Sequence, residues 1–410
     1  MSEIEIEAGA AKLLDRLHAA GYAAYAVGGC VRDRLLGQTP NDWDLCTSAL
    51  PEQVIELFGE ENCIPTGLQH GTVTIRQDGK LYETTTFRTE GSYSDGRHPD
   101  SVSFVPNVRE DLARRDFTIN AMACSKEEGL VDPFGGQEDL KRGIVRAVGV
   151  PKQRFKEDAL RILRLYRFAA RFGFAIDPAT DAAARELCSR LDCVSMERVE
   201  EELSKLLEAP KPGNWMEPEV FATILPELDP LENPERFEET RRKIDLLPSG
   251  VEGLTTRLAA LLMPLGENGT RKALRRLRCS NALIDETTTL VRESGLTPEP
   301  EMLRLQARRL LGKWTPETLH RLTLLCAVER PEAAKQFEQL WNHAEQLAAE
   351  RACCRVSDLA LNGRDLIALG IQPGPGLRKV LDALLEAVVM EQMPNEKERL
   401  LDAAKRFSAS

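Results

Sequence analysis

The sequence predicts an α+β protein in which a small mixed head precedes a long helical region. Up to about residue 140, short runs rich in β-branched residues, such as GTVTIRQ and LYETTTFR, alternate with amphipathic helical segments. From Phe155 onward, Leu, Ala, Arg and Glu recur with a helical period, and proline or glycine separates the segments. Neither region contains an internal repeat of fixed period or a low-complexity tract.

The elements of the head are predicted from local patterns. An amphipathic segment over residues 5–20 predicts a helix that Gly21 ends. The elements that follow are, in chain order, strand YAAYAV (22–27), helix CVRDRLLG (30–37), strand DWDLCTS (42–48), helix PEQVIELF (51–58), and strands NCIPTG (62–67), GTVTIRQ (71–77) and LYETTTFR (81–88). The Asp78-Gly79 pair predicts a turn between the last two strands.

Composition narrows the class of protein. The chain has 410 residues, which corresponds to about two to four domains. No stretch reaches the roughly 18 apolar residues of a membrane span, and the acidic N-terminus lacks a signal peptide's features, so we expect a cytoplasmic protein with no membrane partner. The ten cysteines form no C-x-x-C pair and no zinc-spaced cluster, so we expect reduced, mostly buried thiols.

Charge is unevenly distributed along the chain. The formal net charge of -11 argues weakly against a nucleic-acid partner, because such proteins usually carry a basic field. Three arginine-rich stretches oppose this average: RILRLYRFAARF (161–172), TRKALRRLR (270–278) and RLQARRLLGK (304–313). A solvated helix face explains any one of them, whereas the three together favour a surface that binds a polyanion.

Two aspartates stand one residue apart in a predicted strand of the head. The side chains of Asp42 and Asp44 therefore point to the same face, while Trp43 turns towards the core. Neighbouring carboxylates need a cation, and Mg²⁺ takes one or two carboxylates together with water and substrate phosphates. This combination is typical of phosphoryl or nucleotidyl transfer. Glu83, on a neighbouring predicted strand, is the candidate third carboxylate, although a lone D-x-D is more often a turn or a solvated pair.

A glycine pair precedes these aspartates. Gly28 and Gly29 stand at a predicted strand-to-helix turn, where backbone N–H groups can approach phosphate oxygens. Arg32, one turn into the helix, adds a charge-assisted contact to a phosphate, unless Asp33 instead orients it or caps the turn. A lone Gly-Gly is usually only a turn. The order of strand, glycine pair, Arg-Asp helix and D-x-D is what indicates a nucleoside triphosphate site.

The stretch YAVGGCVRDRLLGQTPNDWDL (25–45) resembles a motif of the polymerase-β-type nucleotidyltransferases. Within them it is similar to class II CCA-adding enzymes and bacterial poly(A) polymerases, whose first motif reads G-G-x-V-R-D-x-L-L-G followed by D-x-D. The resemblance implies a polymerase-β-type head. The roles predicted are binding of two Mg²⁺ ions by Asp42 and Asp44, catalysis by these aspartates with Glu83, and triphosphate binding by Gly28, Gly29 and Arg32.

A second stretch, EDLARRDFTINAMA (110–123), is close to the family's R-R-D-F-T-x-N-A motif, which contacts the bound nucleotide. The resemblance assigns this role to Arg115, Asp116 and Asn120, with Arg114 a weaker candidate. Out of context, the same string is a helix start with an ion pair. The polar segment before it, GSYSDGRHPDSV (91–102), is typical of a mobile loop.

A third stretch, KEDALRILRLYRFAARFGF (156–174), predicts one amphipathic helix that brings Asp158 and Glu157 next to Arg161. On pattern alone this is an ordinary surface ion pair. A carboxylate beside a guanidinium also presents an acceptor beside a donor, which complements cytosine and adenine and mismatches uracil and guanine. The string resembles the family's E-D-x-x-R motif, in which the protein itself acts as template. The nucleotide-binding residues implied here are Glu157, Asp158, Arg161 and Arg164.

The resemblance extends over nearly the whole chain. It predicts a head over residues 1–142, a nucleotide-recognition neck over 143–207, a helical body over 208–300 and a tRNA-binding tail over 301–410. GIVRAVGVP (143–151) matches the segment between head and neck, a candidate hinge, and VSMERVEEELSKLL (194–207) a helix that scaffolds the neck. In the tail, Arg378 and Lys379 either touch the tRNA backbone or lie on a solvated face.

The motifs together predict an enzyme that adds C, C and A to the 3′ end of tRNA from CTP and ATP, with Mg²⁺ as cofactor. Bacterial poly(A) polymerase is the nearest alternative, since it shares every head motif, but its very basic C-terminal extension is missing. An enzyme adding only CC or only A is another alternative, against which the loop over residues 90–107 argues. The retained acidic residues argue against a non-catalytic tRNA-binding protein, and the chain is a monomer or a homodimer.

Overall fold

The computed structural model describes residues 4–91 and 102–407, so most of the predicted loop 91–102 lies outside the described residues. The chain forms two compact units, Met1–Arg241 with Arg276–Arg278 and Arg242–Arg275 with Cys279–Ser410. The predicted divisions after residues 142, 207 and 300 remain predictions. Among the described residues, no helix has the length and apolar character of a membrane span. None of the ten cysteines, all of which lie within the described residues, forms a disulfide, and most of them are buried, as predicted.

The first unit contains all the strands of the described residues. They are β1 (Ala24–Val27), β2 (Leu45–Thr47), β3 (Cys63–Gly67), β4 (Thr72–Gln77), β5 (Lys80–Thr86), β6 (Arg88–Glu90), β7 (Val102–Phe104), β8 (Ala123–Ser125), β9 (Gly129–Val131), β10 (Ile144–Val145) and β11 (Ala175–Ile176). Seven form one sheet in the order β3-β4-β5-β2-β1-β8-β9. Its β2–β5 pair is parallel and its other pairs are antiparallel, so the predicted mixed sheet is confirmed.

Helices make up most of the remaining structure. Those of the first unit are α1 (Ala8–Ala19), α2 (Gly29–Leu35), α3 (Pro51–Phe58), α4 (Val108–Ala113), α5 (Gly136–Arg142), α6 (Pro151–Glu157), α7 (Leu160–Phe172), α8 (Pro178–Leu187), α9 (Met196–Leu207) and α10 (Pro218–Ile224). Those that follow are α11 (Pro234–Leu246), α12 (Val251–Leu262), α13 (Gly266–Arg276), α14 (Asn281–Glu293), α15 (Leu303–Lys313), α16 (Pro316–Glu329), α17 (Ala334–Ala349), α18 (Gly363–Ala368), α19 (Pro375–Val389) and α20 (Lys397–Phe407). Among the described residues after Phe155, β11 is the only strand, which confirms the α+β prediction.

The core of the head forms where the sheet meets α4. Strand β1 is buried at all four positions because it lies inside the sheet between β2 and β8. Its side chains Tyr25 and Val27 pack in one cluster with Phe87 of the segment after β5 and Leu112 of α4. Full burial of one such side chain stabilises the fold by roughly 1.5–3 kcal/mol. This packing holds the ends of β1 and β2, which carry the predicted site residues.

The first helix and the second strand of the head are shorter than expected. The first helix begins at Ala8 because the carboxylate of Glu7 accepts hydrogen bonds from the N–H groups of Gly9 and Ala10, at 3.0 Å each. Strand β2 begins only at Leu45, so Asp42 and Asp44 precede the strand instead of lying within it. The reason is that β1, which pairs with β2, ends at Val27, where the chain turns into α2. Beyond that point β1 has no backbone groups that could pair with residues before Asp44.

The predicted continuous helix over residues 156–174 is wrong. Helix α6 ends at Glu157, and Asp158 has φ -142° and ψ 107°, which is extended backbone. The carboxylate of Asp158 accepts the N–H of Leu160 at 3.1 Å, so its side chain caps the start of α7. The chain therefore bends at Asp158, and α7 ends at Phe172, followed by Gly173 with φ 67°.

The second unit is helical throughout its described residues. Helices α15 and α16 both pack on α17, where Phe337 and Leu340 are fully buried. A separate apolar cluster joins α18, α19 and α20 through Leu366, Leu384 and Leu400. In the third arginine-rich stretch, Arg304 and Arg309 pair with Glu350 and Glu386, and Arg308 donates to the Cys353 carbonyl. These local partners favour the interpretation of this stretch as a structural helix face.

Candidate active site

The acidic residues of the head gather at one end of the sheet. The β2–β5 register pairs Leu45 with Thr84, so the same register one residue earlier places Asp44 beside Glu83. The carbonyl of Asp44 accepts the Val27 N–H at 2.9 Å, which fixes this residue against β1. Asp42 is exposed and Trp43 is buried, so the alternation predicted for a strand is kept in the extended segment before β2.

The carboxyl of Asp44 lies in an electrostatically unfavourable place for a negative charge. Burial, followed by repulsion from Asp42 and Glu83, raises the pKa of Asp44 to about 6, while Arg115 opposes this shift. The same three residues are brought to one end of the sheet by the chain and by the register, since Asp42 is two residues from Asp44 and Glu83 lies beside Asp44 on β5. Their mutual repulsion is the condition that a bound cation relieves.

The donor set fits a hard divalent cation. Asp42 and Asp44 supply carboxylate oxygens, which Mg²⁺ accepts in ones or twos together with water and phosphate oxygens. Within residues 4–91 and 102–407, no three Asp, Glu, His or Cys side chains form a ready-made ion site. A cation at Asp42 and Asp44 would therefore complete its coordination with water or with substrate phosphates, as Mg²⁺ in nucleotide sites commonly does.

The glycine pair shapes the turn between β1 and α2. Gly28 has φ 78°, which disfavours other residues, and a Cβ there would lie 2.9 Å from Nη1 of Arg115. Its N–H donates to the Met122 carbonyl at 3.0 Å, so this amide belongs to the sheet. Gly28 thus allows Arg115 to come close to the turn, and Gly29 begins α2.

Arg32 is buried and held from several sides. Its guanidinium donates to Asp33, with Nε 2.8 Å from Oδ1, and to the side-chain oxygen of Asn120. It also stacks on Phe172, whose ring centre lies 4.9 Å from its Cζ. Asp33 therefore orients Arg32, as one of the two sequence interpretations predicts.

The second motif joins the same network. Nδ2 of Asn120 donates to Oδ1 of Asp116 at 3.1 Å, and Arg164 donates to Oδ2 through Nε and Nη2, at 3.0 and 2.6 Å. Burial acts to raise the pKa of Asp116, but Arg164 and Asn120 outweigh it and hold this pKa well below its usual range. Asp116 thus lies as an ionised anchor between Arg164 and Asn120.

Arg115 retains an unused donor. Its Nη2 lies 3.3 Å from Oδ2 of Asp111. Its Nε is buried and makes no hydrogen bond within the described part of the chain. A buried guanidinium N–H without a partner is costly, and Arg115 lines the pocket described below, so its guanidinium group is suited to an anionic ligand such as a phosphate.

The third motif does not form the predicted pair. Asp158 binds Arg198 of α9, with Nη2 2.7 Å from Oδ2, whereas Arg161 donates to Glu157 at 2.8 Å. Arg161 also donates to the carbonyl of Arg114 at 3.0 Å. The bend at Asp158 turns its carboxylate towards α9, because α7 packs on α9. The predicted contact between Asp158 and Arg161 is therefore wrong in this structure, while the Glu157–Arg161 contact is present.

One pocket of the first unit unites the three motifs. Its lining residues are Gly28, Gly29, Arg32, Asp42, Asp44, Arg114, Arg115, Asp116, Asn120, Asp158, Leu160, Arg161, Arg164, Arg167, Phe168, Arg171 and Arg198. Of the predicted site residues, only Glu83 and Glu157 lie outside this lining, next to Asp44 and Arg161 respectively. The pocket combines carboxylates at one part with many guanidinium groups, as expected for a metal-bound polyphosphate.

Comparisons with known proteins match this arrangement. The poly A polymerase head domain matches residues 24–146, the probable RNA and SrmB-binding site of polymerase A matches residues 173–231, and a putative tRNA nucleotidyltransferase domain 2 matches residues 252–404. The CCA-adding enzyme of Lactiplantibacillus plantarum is 36% identical, with 100% of this chain and 99% of that protein covered. The chain belongs to the CCA-adding enzyme family. The CCA-adding enzyme of Geobacillus kaustophilus is 37% identical, over 95% of this chain and 94% of that protein.

Solved structures of CCA-adding enzymes agree with the fold. The crystal structure of the Bacillus stearothermophilus CCA-adding enzyme in complex with CTP matches with a TM-score of 0.78 at 34% identity, covering 98% of this chain and 97% of that chain. The Thermotoga maritima CCA-adding enzyme complexed with tRNA-CCA matches with a TM-score of 0.69 over 97% and 94%, and its 23% identity supports a common fold alone. The predicted polymerase-β-type head is thereby confirmed.

In this member of the CCA-adding enzyme family, the pocket also holds arginines that were not among the predicted site residues, although two of them lie in the arginine-rich stretch 161–172. Arg167 and Arg171 follow Arg161 and Arg164 at helical spacing on α7, and this periodicity was a usable signal. Arg198 stands 40 residues after Asp158 on another helix, and no short-range pattern connects the two. Only the packing of α7 on α9 brings Arg198 to the pocket.

Proposed function

We propose that this chain adds C, C and A to the 3′ end of tRNA from CTP and ATP and releases pyrophosphate at each step. The observation that carries the proposal is the single pocket in which Asp42 and Asp44 meet an arginine cluster together with Asp158 and Arg161. The names of the full-length relatives support the same activity. Because its proposed substrate is tRNA, we place the activity of this chain in the cytoplasm.

The chemistry is nucleotidyl transfer. The terminal 3′-hydroxyl oxygen of the tRNA loses its proton to water and bonds to the α-phosphorus. The bond from that phosphorus to the bridging oxygen breaks, and pyrophosphate leaves with the electron pair. Asp42 and Asp44 would hold Mg²⁺, in two ions, with Glu83 as the neighbouring third carboxylate. When bound, Mg²⁺ lowers the pKa of the hydroxyl and stabilises the leaving group.

Cationic side chains of the pocket bind the triphosphate in this proposal. The unpartnered Nε of Arg115 donates to a phosphate oxygen. Arg32 is held rigid by Asp33 and Asn120, and Arg164 by Asp116, so both guanidinium groups are oriented before the nucleotide arrives. Such preorientation lowers the entropy lost on binding.

Base selection is assigned to Asp158 and Arg161. Both line the pocket, where the carboxylate accepts from the exocyclic amine of cytosine or adenine and the guanidinium donates to the ring nitrogen. Uracil and guanine present a carbonyl and an N–H at these positions, so they mismatch both groups. Bidentate recognition of this kind discriminates by about 1–3 kcal/mol.

The test is nucleotide incorporation at single-base resolution. The purified chain is given tRNA that ends at its discriminator base, with CTP and ATP, and separately with UTP or GTP. We expect addition of C, C and A followed by a stop. Arrest after two cytidines, or addition of A only to tRNA that already ends in CC, would instead identify a partial activity. Long A tails on RNA other than tRNA would identify a poly(A) polymerase, with which this chain shares its matched head domain.

A further inference from the structure

The carboxylate of Asp158 is held by a residue outside the three motifs. Nη2 of Arg198 lies 2.7 Å from Oδ2 and Nη1 lies 3.3 Å from Oδ1, so one guanidinium spans both oxygens. The side chains are 23% exposed for Arg198 and 16% for Asp158, which leaves this pair less screened than a surface ion pair. Arg198 belongs to α9, whereas Asp158 occupies the bend between α6 and α7.

Arg161 has its own separate anchors. Its Nη1 donates to Glu157 at 2.8 Å, and its Nη2 donates to the carbonyl of Arg114 at 3.0 Å. Its backbone N–H donates to the Asp158 carbonyl at 3.1 Å, so the two residues belong to one turn. Because the Asp158 carboxylate caps the first turn of α7, it lies near the side chain three residues later, and without another partner it would be close enough to pair with Arg161.

The structure assigns to Arg198 the role of a positioning residue that keeps Asp158 and Arg161 from pairing with each other. This inference rests on the proposed function, in which these two residues read the base. If they were paired with each other, the acceptor of Asp158 and the donors of Arg161 would satisfy one another instead of the nucleotide. Arg198 prevents this because it holds the carboxylate from the side of α9.

The contact leaves Asp158 able to accept a further hydrogen bond. Oδ1 receives the N–H of Leu160 as well as Nη1 of Arg198, whereas among the described residues Oδ2 is bonded to Arg198 alone. A carboxylate oxygen has two acceptor sites, so Oδ2 retains one for a nucleobase amine.

The experiment measures equilibrium binding of CTP, ATP, UTP and GTP to the full-length chain and compares the affinities. The variants are Arg198→Ala, Arg198→Gln and Arg198→Lys, each alone and in an Asp158→Asn background. Arg190→Ala is the matched control. Arg190 is exposed and donates to the backbone carbonyl of Lys156, and it contacts no carboxylate of the pocket. Thermal unfolding of each variant identifies those that fold.

We expect Arg198→Ala to lower the preference for CTP over UTP, and for ATP over GTP, by about tenfold, with binding of UTP and GTP nearly unchanged. Arg198→Lys should recover part of the preference, because it restores the charge without the second hydrogen bond. In the Asp158→Asn background, the Arg198 substitutions should leave the preference unchanged. Arg190→Ala should bind like the unaltered chain. If Arg198→Ala does not fold, Arg198→Gln carries the same comparison.

Two results would overturn the inference. An unchanged preference in folded Arg198 variants would show that Asp158 needs no such support. Equal weakening for all four nucleotides, repeated in the Asp158→Asn background, would make Arg198 a phosphate contact. Failure of the proposed function would give a different result from both of these. An unaltered chain that prefers CTP and ATP but extends no tRNA would contradict CCA addition. The binding comparison would still decide the role of Arg198 in that case.

Discussion

Asp44 occupies a position where its neighbours set the protonation state. Its half-buried carboxyl is near Asp42 and Glu83, which repel a negative charge, and near Arg115, which attracts it. The pKa of about 6 therefore lies well above the ordinary value of 3.8. A cation at this site competes with a proton for the same oxygens.

This competition predicts a pH dependence of metal binding. With Mn²⁺ as the probe, we expect the affinity of the nucleotide-free chain to fall by about tenfold per pH unit below about pH 6 and to level off above it. Affinity is measured from the paramagnetic signal of free Mn²⁺. An affinity that stays constant from about pH 5 to pH 8 would contradict the assignment.

The same pKa has a consequence for the stability of the metal-free protein. Because the folded-state pKa of Asp44 is raised, its contribution to stability is fully present below the unfolded value of 3.8 and is lost as the pH rises through about 6. Asp44→Asn should accordingly raise the melting temperature of the metal-free chain at neutral pH and leave it nearly unchanged near pH 4. This comparison of melting temperatures tests whether the charge of Asp44 affects the stability of the fold as well as metal binding.

Removal of either aspartate tests the proposed chemistry directly. We expect Asp42→Ala or Asp44→Ala to lower the rate of nucleotide incorporation by about a thousandfold or more, since the metal supplies several kcal/mol of transition-state stabilisation. Binding of tRNA, measured by filter retention, should change little. Lys12→Ala is a suitable control, because its ion pair with Asp78 is on an exposed part of the head. Unchanged turnover in either aspartate variant would remove the metal assignment.

At the scale of elements, α9 connects the recognition residues to the fold. Glu202 of α9 is buried and binds both Arg164 and Arg167 of α7. Arg164 in turn binds Asp116 of the head motif. The contact between α7 and α9 therefore fixes the arginines that line one side of the pocket.

This arrangement predicts a large effect of a small substitution. Glu202→Gln removes the charge between two guanidinium groups, and we expect it to lower the free energy of unfolding by about 3 kcal/mol, because it leaves buried charge poorly compensated. Glu201→Gln is the matched control on the same helix. Its partner Lys205 forms an exposed pair, so its loss should cost less than about 1 kcal/mol. Denaturant titration measures both changes, and equal effects would contradict the role of Glu202.

At the scale of the whole molecule, an acidic chain is proposed to bind a polyanion. The formal net charge is -11, yet the pocket of the first unit collects arginines from four separate stretches of sequence. Binding must therefore depend on local cationic surfaces that act against an unfavourable average charge. Such binding releases counterions from the RNA and is weakened by salt.

We accordingly expect the affinity for tRNA to fall steeply with salt. For a footprint of several phosphates the loss is on the order of a hundredfold or more between about 50 mM and 200 mM salt. Fluorescence anisotropy with labelled tRNA measures it, and an uncharged small ligand gives no such dependence. An affinity insensitive to salt would show that phosphate contacts do not dominate binding.

Much of the head could be predicted from short stretches of sequence. Gly28 has a positive φ, and Asp78 and Gly79 form the predicted turn with φ 51° and 78°. Trp43, which stands between Asp42 and Asp44 in the sequence, is buried as predicted. These features depend on backbone sterics and on residue alternation, which act between near neighbours. The α+β class followed for the same reason.

Partners distant in the chain were beyond such reasoning. Pattern alone paired Asp158 with Arg161 in a continuous helix, but the carboxylate caps α7 and binds Arg198, 40 residues later. Arg32 likewise meets Asn120, 88 residues away. The residues and their local order specify which chemical groups this protein carries and the turns that present them. Which of those groups bind each other depends on the folded arrangement, because a hydrogen-bond partner is chosen by packing between elements and not by spacing along one of them.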